Sequence, residues 1–314
     1  MFLPEEVNVI EVGPRDGLQN IPEIIDTEDK IELVNSLSKT GLRRIEVTSF
    51  VHPKAVPQMK DAAVVLSRIC KRREVRYCVL VPNETGAGLA LDAGASELNA
   101  VISASESHNM LNIKRTIAQS LEEFKKISSL CKEHGIIWLK ATIATAFGCP
   151  FEGKMDSSKI IEIASRLIQS GAMEIILADT AGMGNPVQVQ MLIDDLRKVL
   201  GDTDLTVHFH NTRGNGMVNI FSALLAGVSN IETSIGGLGG CPFVPGAAGN
   251  VATEDLVNLM DDMGIKTGVH LKALIDCAKI VKRIVKTDTY GYVLKVGPTF
   301  TLHPLEYINN ITNK

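Results

Sequence analysis

The chain has 314 residues, 45% of them hydrophobic and 22% charged, with a formal net charge of -4. That balance describes a globular protein with ample material for a core. It argues against nucleic acid as a partner, because no basic stripe with interleaved aromatics occurs, and no run of about 18 or more apolar residues reads as a membrane span.

In chain order, short apolar runs alternate with longer segments of helical period. Strands are expected at 7–12, 44–49, 75–81, 97–103, 136–145, 174–178, 205–210 and 230–235. Helices are expected near 27–39, 58–70, 84–93, 115–134, 156–170, 185–200, 215–227 and 253–263, with a further one near 270–287 before a polar tail. Eight strand–helix repeats with short connections predict an α/β fold, a (β/α)8 TIM barrel with a short C-terminal helical extension. We expect one catalytic domain over 1–314, its barrel spanning about 5–265 and its terminal helix and tail about 266–314. Local signals agree. Asn185 precedes Pro186 as an N-cap before a first-turn proline, Gly201 follows as a stop, and Asp156-Ser157 opens the preceding helix in a similar way. Gly41, Gly94, Gly135, Gly171 and Gly227 fit helix C-caps entering the next strands.

The six cysteines, Cys70, Cys78, Cys131, Cys149, Cys241 and Cys277, form no Cys-x-x-Cys pair. That argues against zinc ribbons and thioredoxin-like chemistry and fits a reducing compartment. The acidic first residues have neither a signal-peptide nor a presequence pattern, so cytoplasm is the expected location.

A barrel of this kind gathers its chemistry at the C-terminal ends of its strands. The first strand ends in Gly13-Pro14-Arg15-Asp16-Gly17-Leu18-Gln19-Asn20. The second holds Glu46 and Ser49, the fifth Lys140 and Thr142, and the sixth ends in Asp179-Thr180. The seventh carries His208 and His210, which alternate onto one face of an extended strand. Asp16, His208 and His210 together make a two-nitrogen, one-oxygen site for Mg²⁺, Mn²⁺ or Zn²⁺, with Asn250 as a further oxygen donor. Each piece also has a plainer reading: core histidines, an Arg15–Asp16 rim pair, Asp179-Thr180 as a turn, and Cys149 as a structural thiol. The glycine-rich segment 236–250 lacks a P-loop ending and reads as a mobile lid carrying Cys241, or as a rigid turn around a buried thiol. Ser105–Asn109 and Asn112 are expected in a loop that either contacts coenzyme A or is a solvated rim.

Several segments in the right order resemble 3-hydroxy-3-methylglutaryl-CoA lyase, within the metal-dependent aldolase and Claisen-type barrels. They are Glu11–Asn20, Ile45–Phe50, Gly148–Gly153, and Gly236–Asn250 followed by Ala252-Thr-Glu-Asp255; the likeness covers about 5–285. The resemblance implies cleavage of a 3-hydroxy-3-methylglutaryl thioester to acetyl-CoA and acetoacetate with a divalent metal, Mg²⁺ or Mn²⁺. It implies metal ligation by Asp16, His208, His210 and Asn250, enolate neutralisation by Arg15, and proton transfer by Cys241 and by His208. Gln19, Glu46 and Asp179 fall at positions lining the substrate, and Glu254 resembles a further acidic position. Either Asp16 or His208 would be the base. Departures touch the acyl pocket: Lys140 stands for the family's arginine, Thr142 for a tyrosine, Ile176 for a serine, and Asn211-Thr212-Arg213 follows the second histidine. They keep open a lyase for another 3-hydroxyacyl-CoA. A carboligating synthase using acetyl-CoA and a 2-oxo acid is a further alternative, as is a non-catalytic metal- or CoA-binding barrel. The expected partners are a small-molecule acyl-CoA and further copies of the chain, as a dimer or tetramer, with no membrane or nucleic acid.

Overall fold

The computed structural model describes residues 3–135, 138–240, 248–286, 289–302 and 304. Eight parallel strands close into a barrel: β1 (Asn8–Glu11), β2 (Arg44–Ser49), β3 (Arg76–Val81), β4 (Glu97–Ser103), β5 (Trp138–Ala144), β6 (Glu174–Asp179), β7 (Asp204–Phe209) and β8 (Asn230–Thr233). Each strand pairs with its neighbours in sequence, and β8 returns to β1 with Val9 opposite Ile231. The expected TIM barrel is therefore the fold. A register shift between Glu46 and Thr48 on β2 bends that strand near its mouth end.

The helices lie outside: α1 (Thr27–Leu37), α2 (Ala62–Arg68), α3 (Glu84–Asp92), α4 (Glu106–Ile113), α5 (Ile117–Glu133), α6 (Ser157–Gln169), α7 (Pro186–Leu200), α8 (Gly216–Leu225) and α9 (Thr253–Asp262). Then α10 (Leu271–Val285) packs against α1 and α9, and a single turn, α11 (Val293–Val296), follows. The capping signals act as read. The Asn185 side chain accepts the Gln188 N–H, and the Asp156 side chain accepts that of Ser158. The apolar core is the layer between sheet and helices, where Val47, Val79, Leu98, Ile143, Ile175 and Val207 meet the helix faces.

The barrel interior is different. Inward positions carry Arg44 and Glu46 on β2, Glu97 and Asn99 on β4, Lys140 and Thr142 on β5, Glu174 on β6, Thr206 and His208 on β7, and Glu232 on β8, all of them buried. Barrels of this class usually fill that space with Val, Ile and Leu. Here the charges pair instead. Arg44 Nη2 sits 2.7 Å from Glu97 Oε1 and 2.6 Å from Glu174 Oε2, and Trp138 Nε1 donates to Glu174 at 3.2 Å.

One expectation needs correction. The segment after β4 is a helix rather than a loop: Ser105 accepts the His108 N–H and opens α4. Its Ser- and Asn-rich composition favours turns, but a side-chain cap satisfies the first free N–H groups and lets the helix start. Before α6, residues 148–154 form a small antiparallel ribbon, Gly148–Cys149 with Gly153–Lys154. The tail reaches back to the barrel mouth: Tyr290 N–H donates to Gly236 O at 2.8 Å, and Asp255 on α9 accepts the N–H groups of Tyr292 and Val293.

Candidate metal centre

After β1 the chain does not run straight on. Val12 O accepts the N–H groups of Arg15, Asp16 and Gly17, coiling Gly13–Gly17 into one wide helical turn. The turn places Arg15 and Asp16, both buried, over the barrel mouth. Arg15 Nη1 lies 2.6 Å from Asp16 Oδ1, and Arg15 Nε bonds Glu46 Oε2. Behind this pair Asn99 Nδ2 donates to Glu46 Oε1 at 2.9 Å, and Thr142 Oγ1 donates to Asn99 Oδ1 at 2.9 Å. Gln19 Nε2 donates to Asp16 Oδ1 at 3.1 Å, and Asn250 Nδ2 donates to Asp16 Oδ2 at 2.7 Å. Gln19 therefore acts here as a partner of Asp16.

His208 on β7 and His210, one residue past its end, bring their Nε2 atoms to 3.3 Å. The ligand atoms of Asp16, His208 and His210 all lie within 4.8 Å of one another. Glu232 Oε2, 3.0 Å from His208 Nδ1, accepts that N–H and leaves Nε2 with its lone pair toward the site. Asn250 is tied through its amide nitrogen, and its buried Oδ1 has no hydrogen-bond partner among the described residues. Gly239 keeps the space clear: a Cβ there would come 2.5 Å from Asn250 Nδ2 and 3.1 Å from Asp16 Oδ2.

Burial opposes ionisation of Asp16, but the Arg15 guanidinium, with His208, His210 and the Asn250 bond, outweighs it and holds the carboxyl down to about 2. Burial, with the neighbouring His208, pushes His210 down to about 4. His208 moves up instead; the Glu232 hydrogen bond and charge, and Asp16, overcome its burial. A carboxylate, the Nε2 atoms of two imidazoles and an amide oxygen with no partner among the described residues converge, a donor set that suits a divalent cation, whose binding would displace the proton that His208 favours. Charge argues the same way. The interior and its mouth hold five carboxylates (Asp16, Glu46, Glu97, Glu174 and Glu232) against three cations (Arg15, Arg44 and Lys140), all buried. Every carboxylate has a cation beside it, but the shared cations leave these residues with a net charge of -2.

The other expected site residues fall in different places. Thr142 and Ile176 face each other across β5 and β6 near the mouth, Thr142 with its hydroxyl committed to Asn99 and Ile176 fully buried. Lys140 lies deeper, with no exposed surface, 3.1 Å from Glu97. Asp179 accepts the N–H groups of Met183 and Gly184 and shapes the loop after β6. Thr180 Oγ1 accepts the Thr145 N–H, and Ser49 is buried beside the mouth. Glu254 sits outside the barrel at the start of α9, where it accepts the Gly236 N–H, and burial pushes it up to about 8. Cys241 lies outside the described residues. At the roots of its segment, Gly249 passes so close to Gly237 that a Cβ would stand 1.8 Å from Gly237 O, so the two strands of chain cross in contact. Glu232 was missed from the sequence. Its only signal was a charged residue at an inward position of an apolar strand.

Comparison with known proteins gives the chain a family. A family model described as HMGL-like matches residues 6–281. The hydroxymethylglutaryl-CoA lyase YngG of Bacillus subtilis is 42% identical over 282 residues, covering 90% of this chain and 94% of that protein. The (R)-citramalyl-CoA lyase of Chloroflexus aurantiacus is 38% identical over 306 residues, covering 94% and 96%. Among solved structures, an HMG-CoA lyase of Acinetobacter baumannii in complex with coenzyme A and 3-methylmalate superposes with a TM-score of 0.92 at 42% identity, covering 96% of this chain and 98% of that one.

Proposed function

The chain belongs to the HMGL-like family of carbon–carbon lyases, and from that footing we propose that it cleaves 3-hydroxy-3-methylglutaryl-CoA to acetyl-CoA and acetoacetate, using Mg²⁺ or Mn²⁺. The observation that carries this reading is the convergence of Asp16, His208 and His210 within 4.8 Å, with Arg15 bonded to the first of them. These three residues and Asn250 Oδ1 would hold the cation. When bound, it supplies Lewis acidity for the tertiary hydroxyl of the substrate.

Asp16 takes the hydroxyl proton as the carbonyl of acetoacetate forms; His208, with Nδ1–H on Glu232 and Nε2 toward the cation, keeps no free lone pair for it. The bond between C2 and C3 breaks, and its electron pair moves onto the thioester carbonyl to give the acetyl-CoA enolate. Arg15 faces that developing charge. Its bonds to Glu46 and Asp16 use Nε and Nη1 and leave Nη2 for the thioester oxygen. Because those partners fix the guanidinium before substrate arrives, little reorganisation is needed when the charge appears. Cys241 then delivers a proton to the enolate carbon, the role that the family resemblance gives it. Gln19 and Glu46 serve by holding Asp16 and Arg15, and Asp179 by shaping the loop beside them.

A lyase acting on a different 3-hydroxyacyl-CoA is the second reading. It is supported by Thr142 and Ile176, one with its hydroxyl already committed and the other apolar, and by the citramalyl-CoA lyase among the relatives. A panel of 3-hydroxyacyl thioesters with Mn²⁺, read by mass spectrometry, separates the two. The first reading expects acetyl-CoA and acetoacetate from the hydroxymethylglutaryl thioester at the highest kcat/KM. A higher value for a shorter acyl chain would transfer the assignment, and no cleavage of any member would refute both. Placement in the cytoplasm is part of the same proposal, supported by five free cysteines among the described residues. So is assembly into a dimer or tetramer, supported by the exposed Val187, Met191 and Val218 on α7 and α8.

A further inference from the structure

A line of charges runs down the barrel interior from His208. Glu232 holds His208 Nδ1 through Oε2, while its other oxygen, Oε1, makes no hydrogen bond among the described residues and faces Lys140 Nζ at 3.8 Å. Lys140 Nζ likewise makes no hydrogen bond among the described residues and sits 3.1 Å from Glu97 Oε1 as an ion pair. Glu97 is already paired with Arg44, which in turn holds Glu174. Lys140 has no exposed surface. It therefore reaches neither solvent nor the mouth where an acyl group would enter, and the substrate contact suggested by the resemblance has no route. Burial opposes its charge, but the Glu97 and Glu174 carboxylates outweigh that and keep it a cation. A buried ammonium between two carboxylates fixes where both of them point.

We propose that Lys140 is a positioning residue of the metal centre: it anchors the Glu232 carboxylate, which sets the orientation in which His208 offers Nε2 to the cation. The inference rests on the metal-dependent reading above. Simple electrostatics gives the opposite expectation. Deleting a positive charge makes the interior more negative, so a cation held only by Coulomb attraction would bind more tightly to a Lys140→Met protein. Loss of positioning makes it bind more weakly, because a ring whose outer partner drifts presents its lone pair poorly.

The test is Mn²⁺ affinity of the metal-free full chain, read by electron paramagnetic resonance of free Mn²⁺, with circular dichroism to confirm folding. Lys140→Met is expected to weaken Mn²⁺ about 10- to 100-fold, the range typical of partners that orient a metal-bound histidine. Lys140→Arg, which keeps a cation in place, is expected to stay within about threefold of wild type, far inside that range. In a Glu232→Gln background, adding Lys140→Met should change the affinity no further. Equal or tighter binding by Lys140→Met overturns the inference. So does a Lys140→Arg protein as weak as Lys140→Met, or a Lys140→Met effect that persists undiminished without Glu232. Should Lys140→Met fail to fold, Lys140→Gln takes its place with the same expectations. If the wild-type chain itself binds no Mn²⁺, it is the metal reading that fails, before the variants are compared.

Discussion

Arg15 is poised by what surrounds it. Its Nε and Nη1 are bonded to Glu46 and Asp16, and Asn99 and Thr142 buttress Glu46 from below. A guanidinium fixed in this way contributes most when negative charge builds on the substrate, which is in the transition state. Arg15→Met is therefore expected to lower kcat by about 10²- to 10³-fold while KM stays near the wild-type value. Steady-state kinetics would contradict this role if the loss appeared in KM alone. Cys241→Ser should slow turnover with the Mn²⁺ stoichiometry unchanged; unaltered kinetics would make the thiol a bystander. The parts of the site that could be read in advance are those in which adjacent residues carry the signal, Arg15 beside Asp16 and His208 two before His210. Glu232 and the place of Lys140 could not, because an isolated charge in an apolar strand reads the same whether it faces a ligand or another charge across the barrel. For Lys140 the resemblance alone pointed to the acyl pocket, and nothing in its strand said how deep in the barrel it lies.

Between elements, Glu11 at the end of β1 acts as a junction. One oxygen accepts the N–H groups of Gly13 and Ile235, and the other accepts the Thr253 hydroxyl. It thereby ties the turn carrying Arg15 and Asp16 to the root of the glycine-rich segment after β8 and to the start of α9. Burial outweighs these bonds and pushes the carboxyl from 4.5 up to about 7. A carboxyl with a raised folded-state pKa binds its proton more tightly in the native chain. Its contribution is complete below about pH 4.5 and is lost as pH rises through about 7. Glu11→Gln mimics the protonated form. The stability of wild type relative to this variant should fall by roughly 3 kcal/mol between those limits. Urea unfolding of both proteins at pH 5 and pH 8 measures the change, and a constant difference would rule out Glu11 as the titrating group. At this scale the strand order and most helix starts were legible, since Asn185-Pro186 and Asp156-Ser157 carry their capping chemistry in the residue types themselves. The helix α4 was not, because the residues that cap a helix are also those that favour turns.

For the molecule as a whole, the barrel divides apolar packing from polar design. The outer layer, between strands and helices, supplies the hydrophobic burial that holds the fold. The interior gives up that packing for ion pairs, whose desolvation is costly and whose mutual attraction only partly offsets it. Five buried carboxylates against three buried cations leave the metal-free interior short of positive charge. Mn²⁺ at about 100 times its dissociation constant should raise unfolding stability by about 2.7 kcal/mol. The accompanying rise in Tm should disappear in Asp16→Asn, and an equal rise in that variant would place the binding elsewhere. The closed barrel was legible because eight alternating repeats admit few other arrangements. Its charged interior was not, because inward and outward positions of a doubly buried strand are distinguished only once the barrel is closed.

The most direct measurement is the anomalous difference map of a crystal soaked in Mn²⁺. The account predicts one strong peak within coordination distance of Asp16 Oδ, His208 Nε2 and His210 Nε2. A map with no peak there, or with manganese bound only at other residues, would contradict it.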